Sequence, residues 1–188
     1  MDNILIFGPP GSGKGTNSKE LSKQFGLKHI NTGEKIREEG VKKTKFGLYA
    51  KRLIDFGNLV PDEILIPEMR NWIMDDWNEQ GFIFDGYPRS ISQSKELDQF
   101  LRLRKNPITH FISLDAPKEI LKERITSRNE GRADDSPEFF DTRYSHFLKR
   151  KKPIIDYFKN DGRFEFIEID SSGTPEIVLN EIIKQLNY

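Results

Sequence analysis

The chain of 188 residues contains no cysteine. Disulfides and thiolate metal sites are therefore excluded, a structural zinc held by cysteines among them, and a reducing compartment is compatible with the composition. Neither sign of charge is in excess: 30 basic and 30 acidic residues cancel. That balance points away from a nucleic-acid partner, and there is no acidic tail. No apolar run approaches the roughly 20 residues needed to cross a bilayer, and with the first apolar segment starting within a few residues of Met1 no signal peptide is expected. The expectation is a cytoplasmic protein with no membrane partner. Internal repeats, low-complexity tracts and long linkers are also missing, and the length suits one domain with small inserted lobes.

Five short apolar segments stand out, at 4–7, 27–30, 82–84, 111–114 and 164–169. Helical patterns separate them, and this alternation predicts an α/β fold with a five-stranded parallel sheet flanked by helices. Pro117, Pro137 and Pro175 each fit the first position of a helix. Gly57 and Asn160-Asp161-Gly162 read as helix stops. Pro67 and Pro153 fall inside helical patterns at 62–74 and 137–158, so each is expected to kink its helix or mark a boundary. Two inserts interrupt the alternation, at about 33–73 and about 129–137.

The residues suited to chemistry follow the expected strands, where open parallel sheets bind ligands. Gly8-Pro9-Pro10-Gly11-Ser12-Gly13-Lys14-Gly15-Thr16 lies between the first strand and a helical pattern that runs to Phe25. Strand, glycine loop and helix in that order make a P-loop, in which backbone N–H groups cradle phosphate oxygens and the lysine adds positive charge. Gly15 stands where the magnesium-binding hydroxyl of the generic pattern is expected, with Thr16 one place later. Asp85, in Asp85-Gly86-Tyr87-Pro88-Arg89, follows the third strand and resembles a Walker B acid, which orders magnesium directly or through water. Arg124 and Arg128 are four apart on one helix face. Arg132 and Arg143 come next, beside a short glycine-bearing loop, and arginine forks match phosphate oxygens. Lys149-Arg150-Lys151-Lys152 reads instead as a solvated basic face. Asp55-Phe56-Gly57 reads as a helix end. His29, His110 and His146 suit core or surface roles better than metal or base roles, and Trp72 and Trp77 suit packing.

Taken together and in order, these motifs resemble the adenylate kinase family over nearly the whole chain: Gly8 to Thr16; Asn31-Thr32-Gly33-Glu34 with Arg37; Gly57-Asn58-Leu59-Val60-Pro61-Asp62; Asp85 to Arg89 with Gln93; and Gly131-Arg132-Ala133-Asp134-Asp135 with Arg143. In that family the Gly-Lys-Gly-Thr ending of the loop is normal. The resemblance implies a P-loop core (1–31, 74–128 and 138–188), a nucleoside-monophosphate lobe (about 32–73) and a short lid (about 129–137). It implies reversible, Mg2+-dependent transfer of the terminal phosphoryl group of ATP to AMP, giving two ADP, by a monomer. By the same resemblance, Gly11, Ser12, Gly13, Lys14, Gly15, Thr16, Arg124, Arg128 and Gly173 would serve ATP. Thr32, Arg37, Asn58, Leu59, Val60, Gly86, Tyr87, Pro88, Arg89, Gln93, Arg132 and Arg143 would serve AMP. Lys14, Asp85 and the arginines 89, 124, 128, 132 and 143 would serve the transfer itself, with Thr16 and Asp85 near magnesium. Gln93 and Thr32 favour adenine. The alternatives are a UMP/CMP or broad-specificity nucleoside monophosphate kinase and, in a different class, a catalytically silent adenylate-binding module. Three departures from the family pattern are Glu34, Asn17 and Pro67.

Overall fold

The computed structural model describes residues 2–127 and 137–186. Five strands, β1 (Asp2–Phe7), β2 (Lys28–Asn31), β3 (Gly81–Asp85), β4 (His110–Asp115) and β5 (Glu165–Asp170), form one sheet in the order β2-β3-β1-β4-β5. Every neighbouring pair is parallel. All five expected strands are present, each within one or two residues of its apolar run.

The strands read as continuous apolar runs because both faces of the sheet are covered. Period-two alternation then sorts the side chains. Leu5, Phe7, Phe82, Phe84 and Phe111 face one layer, with Met69, Trp72, Leu101 and Phe158. Ile4, Ile6, Ile83, Ile112 and Ile167 face the other, with Leu21, Val178 and Ile182. The second layer is supplied by α1 (Lys14–Phe25) and α8 (Pro175–Gln185). The first is supplied by α4 (Asp62–Asp75), α5 (Ile91–Leu103) and α7 (Pro137–Asn160). Phe111 stacks on Phe158 at 4.3 Å between ring centroids, which pins α7 across β4. Both tryptophans pack as expected: Trp72 edge-on against Phe46 and Trp77 against Phe82.

Helices α2 (Thr32–Val41), α3 (Lys45–Asp55) and α4 fill the first insert. The second falls between α6 (Lys118–Thr126) and α7, outside the described residues.

One expectation needs correction and two are narrowed. Pro67 and Pro153 lie inside continuous helices, so of the two expected outcomes, a kink or a boundary, the boundary falls away. Pro67 is exposed, and buried Leu65, Met69, Trp72 and Ile73 hold α4 against the core around it. Pro153 precedes fully buried Ile154 and Phe158, which hold α7 in the same way. Pro117 caps α6 from just outside and is not its first residue.

Candidate active site

Helix α1 begins at the glycine loop. Its N-cap, Gly13, is left-handed (φ 84°) and offers no side-chain cap, and the first turn carries no acid. The first N–H groups of a helix lack intrahelical acceptors, so this end is suited to an anion. Gly11 is also left-handed (φ 83°), and a Cβ there would stand 2.4 Å from the Leu121 carbonyl oxygen, so only glycine fits. Ser12 Oγ is buried without a hydrogen-bond partner among the described residues. Lys14 Nζ donates to the Pro9 carbonyl at 2.8 Å, which folds the lysine back over the loop.

The carboxyl ends of β1, β2 and β3 bring Asp85 to this loop. Asp85 is 5% exposed. Its Oδ2 accepts from Asn31 Nδ2 at 2.5 Å and lies 3.8 Å from His29 Nε2. Burial disfavours its charged form. His29, with the Lys14 and Arg89 cations, outweighs that effect and holds the carboxyl below its ordinary value. A Cβ at Gly15 would stand 3.3 Å from Asp85 Oδ2, so a side chain there would crowd the carboxylate. Asn31 also caps α2 by accepting from the Glu34 N–H, so one side chain joins helix and carboxylate.

A cavity of about 660 Å³ opens beyond these strand ends. The whole of Gly11 to Thr16 lines it, with Asp85, Tyr87, Pro88, Arg124, Arg143, Gly173, Asn58 and Leu59. A second cavity of about 300 Å³ is lined by Thr32, Leu59, Val60, Asp62, Ser90 and Gln93. Both share a wall that includes Gly86 and Arg89. Arg89 is bent over that wall: its Nε donates to the Gly86 carbonyl at 2.8 Å, and left-handed Gly86 leaves room for the guanidinium. Tyr87 is buried, and burial, with Asp62 and Glu96 nearby, pushes its hydroxyl above the ordinary tyrosine value.

Arg37 lines neither cavity, but its guanidinium packs against Gly33, which lines both. Arg124 does not simply point into the open space. Its Nη1 donates to Ser171 O at 2.7 Å, and its Nη2 donates to Ser172 O at 2.9 Å and Gly173 O at 2.7 Å. Arg128 and Arg132 lie outside the described residues. Arg150 overturns the solvated-face reading of its basic run, because it lines both cavities. Arg143, His146, Phe147, Arg150 and Ile154 recur at helical spacing and give α7 one face toward the site. That spacing was available in the sequence and was masked by the three lysines around Arg150. His146 is held below the ordinary histidine value by burial and by Arg150, Lys149 and Arg89.

The described residues contain no group of three or more histidine, aspartate or glutamate side chains able to cage a metal. Mg2+ needs no such cage, since one or two carboxylates plus phosphate oxygens and waters are enough. Asp85 and Thr16 are oxygen donors of the right kind.

The sequence matches the family model for adenylate kinase over residues 6–163. It is 38% identical to an adenylate kinase of Phocaeicola vulgatus over 97% of each chain. The chain belongs to the adenylate kinase family. It is also similar to an adenylate kinase of Bacteroides fragilis (36% identity, 100% of this chain and 99% of that one) and to one of Kosmotoga olearia (32% identity, 98% of each). The enzyme is thus an adenylate kinase, and the sheet order and loop described above are those of a P-loop kinase core. No helix among its described residues is long and apolar enough to cross a membrane.

Proposed function

We propose that the larger cavity takes Mg-ATP and the smaller one AMP, and that phosphoryl transfer occurs at the wall they share. The observation carrying this reading is the junction itself: Arg89 and Gly86 line both cavities, with the glycine loop on one side and Thr32, Val60 and Gln93 on the other. An oxygen of the AMP phosphate attacks the terminal phosphorus of ATP. The bond from that phosphorus to its bridging oxygen breaks, and the electron pair leaves on the β-phosphate, so both products are ADP. The nucleophile is already anionic, so no strong base is required, and catalysis rests on alignment and charge neutralisation.

Lys14 and the N–H groups from Gly11 to Thr16 hold the phosphates of ATP. Arg89 and Arg143 hold the AMP phosphate and the group in flight, with Arg37 supporting the AMP side through Gly33. Arg124 holds the loop at Gly173 and adds charge near ATP. Asp85 and Thr16 hold Mg2+, directly or through water. Mg2+, when bound with ATP, supplies further neutralisation of phosphate charge. Leu59 and Val60 line the AMP cavity; Asn58, which lines the larger cavity beside them, is carried over to AMP from the family resemblance, with Tyr87 and Pro88 setting the turn before Arg89. We carry over from the family resemblance the assignment of residues 32–73 as the monophosphate lobe and of 129–137, with Arg128 and Arg132, as a lid that excludes water. A monomer acting in the cytoplasm completes the proposal.

The test is ADP formation from ATP with AMP, CMP, UMP and GMP in turn, in the wild type and in Lys14→Ala. AMP should far exceed the other acceptors. Lys14→Ala should lose at least about 10³ in rate, roughly 4 kcal/mol of transition-state stabilisation, with its circular dichroism unchanged. Equal rates with CMP would move the smaller cavity to pyrimidines, and substantial activity in Lys14→Ala would remove the loop from the reaction.

A further inference from the structure

The side-chain amide of Gln93 is held at both ends. Its Oε1 accepts from the Arg89 backbone N–H at 2.6 Å, and its Nε2 donates to Asp62 Oδ1 at 2.6 Å. Asp62 is held in turn, because Ser90 Oγ donates to its other oxygen, Oδ2, at 2.5 Å. The same Ser90 oxygen caps α5 by accepting from the Gln93 N–H at 3.1 Å. Gln93 is 2% exposed, and all three side chains line the smaller cavity.

A primary amide alone cannot tell a donor from an acceptor. Rotating it by 180° exchanges oxygen and nitrogen at almost no change in shape, so it can pair with either order of groups on a base. Adenine presents a donor (N6–H) beside an acceptor (N1). Hypoxanthine, which differs at that edge, presents an acceptor (O6) beside a donor (N1–H). Gln93 unaided would fit both.

Its two anchors remove that freedom. A carboxylate only accepts and a backbone N–H only donates. Turning the amide over would set oxygen against the Asp62 carboxylate and NH2 against the Arg89 N–H, leaving two buried like-facing pairs. In the observed orientation each end keeps one bonding direction: a second lone pair on Oε1 and a second hydrogen on Nε2. That remaining pair matches adenine and mismatches any base with an oxo group and a ring N–H at this edge.

We propose that Asp62 is a positioning residue that fixes the Gln93 amide and so makes the smaller cavity reject 6-oxopurine and uracil monophosphates. The proposal rests on the reading of Gln93 as the residue that faces the AMP base. It also says what Asp62 does not do: cytosine presents its donor and acceptor in the same order as adenine, so rejection of CMP must come from shape.

The experiment measures kcat/KM for AMP, IMP and CMP as acceptors, with ATP fixed, in the wild type, Asp62→Asn and Gln93→Leu. Each ratio between acceptors is taken on one preparation, so it does not depend on how much of a variant folds. Asparagine can offer either an oxygen or an NH2 to Gln93, so one anchor loses its sense. Asp62→Asn should lower the AMP:IMP ratio about tenfold, the size expected for relieving one buried mismatched hydrogen bond. The change should fall on KM more than on kcat, IMP should gain in absolute terms, and CMP should not. An AMP:IMP ratio that holds in Asp62→Asn but collapses in Gln93→Leu overturns the positioning role and leaves the Gln93 reading intact. A ratio that survives Gln93→Leu overturns that reading and the proposal with it.

Discussion

Arg124 engages the carbonyl oxygens of three consecutive residues, Ser171, Ser172 and Gly173, so it is a structural clamp before it is a charge. A lysine keeps the charge but not the planar fork. Arg124→Lys is expected to raise KM for ATP about tenfold, the size of one lost charge-assisted hydrogen bond, while KM for AMP changes little. Steady-state kinetics with each substrate varied in turn checks this, and equal changes in both constants would contradict it. The places of Lys14 and Asp85 at the larger cavity were legible in the sequence because each sits in a short motif at the end of an apolar run. The partners of Asp85 were not. Asn31 is 54 positions away, and only pairing of β2 with β3, Asn31 opposite Asp85, brings them together. Arg150 was hidden for a different reason: a run of like charges says nothing about which member faces inward until the helix phase is known.

Helix α4 carries a proline that its own pattern argues against. Pro67 has no N–H to donate one turn back, and its ring is exposed, so burial does little to offset the loss. Pro67→Ala is therefore expected to stabilise the protein by about 1–2 kcal/mol, less than the roughly 3 kcal/mol separating proline from alanine in isolated helices, because alanine also gains freedom in the unfolded chain. Urea unfolding checks the sign, and a lowered midpoint would mean that the α4 backbone is already adapted to the ring. Strands were the most legible elements, since burial on both faces leaves a plain apolar run. Helix starts were legible where a proline marks them, at Pro137 and Pro175; the caps at Asn31 and Ser90, each accepting from the N–H three residues on, emerged only in the fold. The helical patterns of α4 and α7 ran through their prolines in the sequence; what was not legible is what holds the helices there, because that depends on residues such as Met69 and Phe158 meeting the sheet.

Across the whole molecule the titration shifts point one way at each end of the pH scale. His146 lies below its ordinary value of 6.5, and Asp76, Asp85, Asp141 and Glu39 lie below 3.8 or 4.5. For Asp76, burial works against ionisation, but hydrogen bonds from Lys28 and Lys35 outweigh it. A depressed value means that the folded state takes up protons less readily than the unfolded one. The associated stability is present above the ordinary value and is lost as pH falls through the folded one. Tyr87 and Tyr157, raised above 10.0 chiefly by burial, have the opposite sign: their contribution is full below pH 10 and fades as pH rises further. Stability is therefore expected to be flat from about pH 6.5 to 10, to fall gently just below 6.5 and to fall steeply below about 4.5. Urea midpoints across that range check it, and a rise between pH 6.5 and 5 would contradict the sign assigned to His146. The fold class at this scale was legible from alternation alone. The order of strands was not, because nothing in a short apolar run says which other run lies beside it.

That order also governs how the enzyme comes into being. β1 precedes β3 and β4 in the chain, yet it pairs only with those two strands, which begin at Gly81 and His110. The glycine loop is therefore made before either strand that supports β1 exists to pair with it. A bound nucleotide is accordingly expected to assist folding only after β4 has been made.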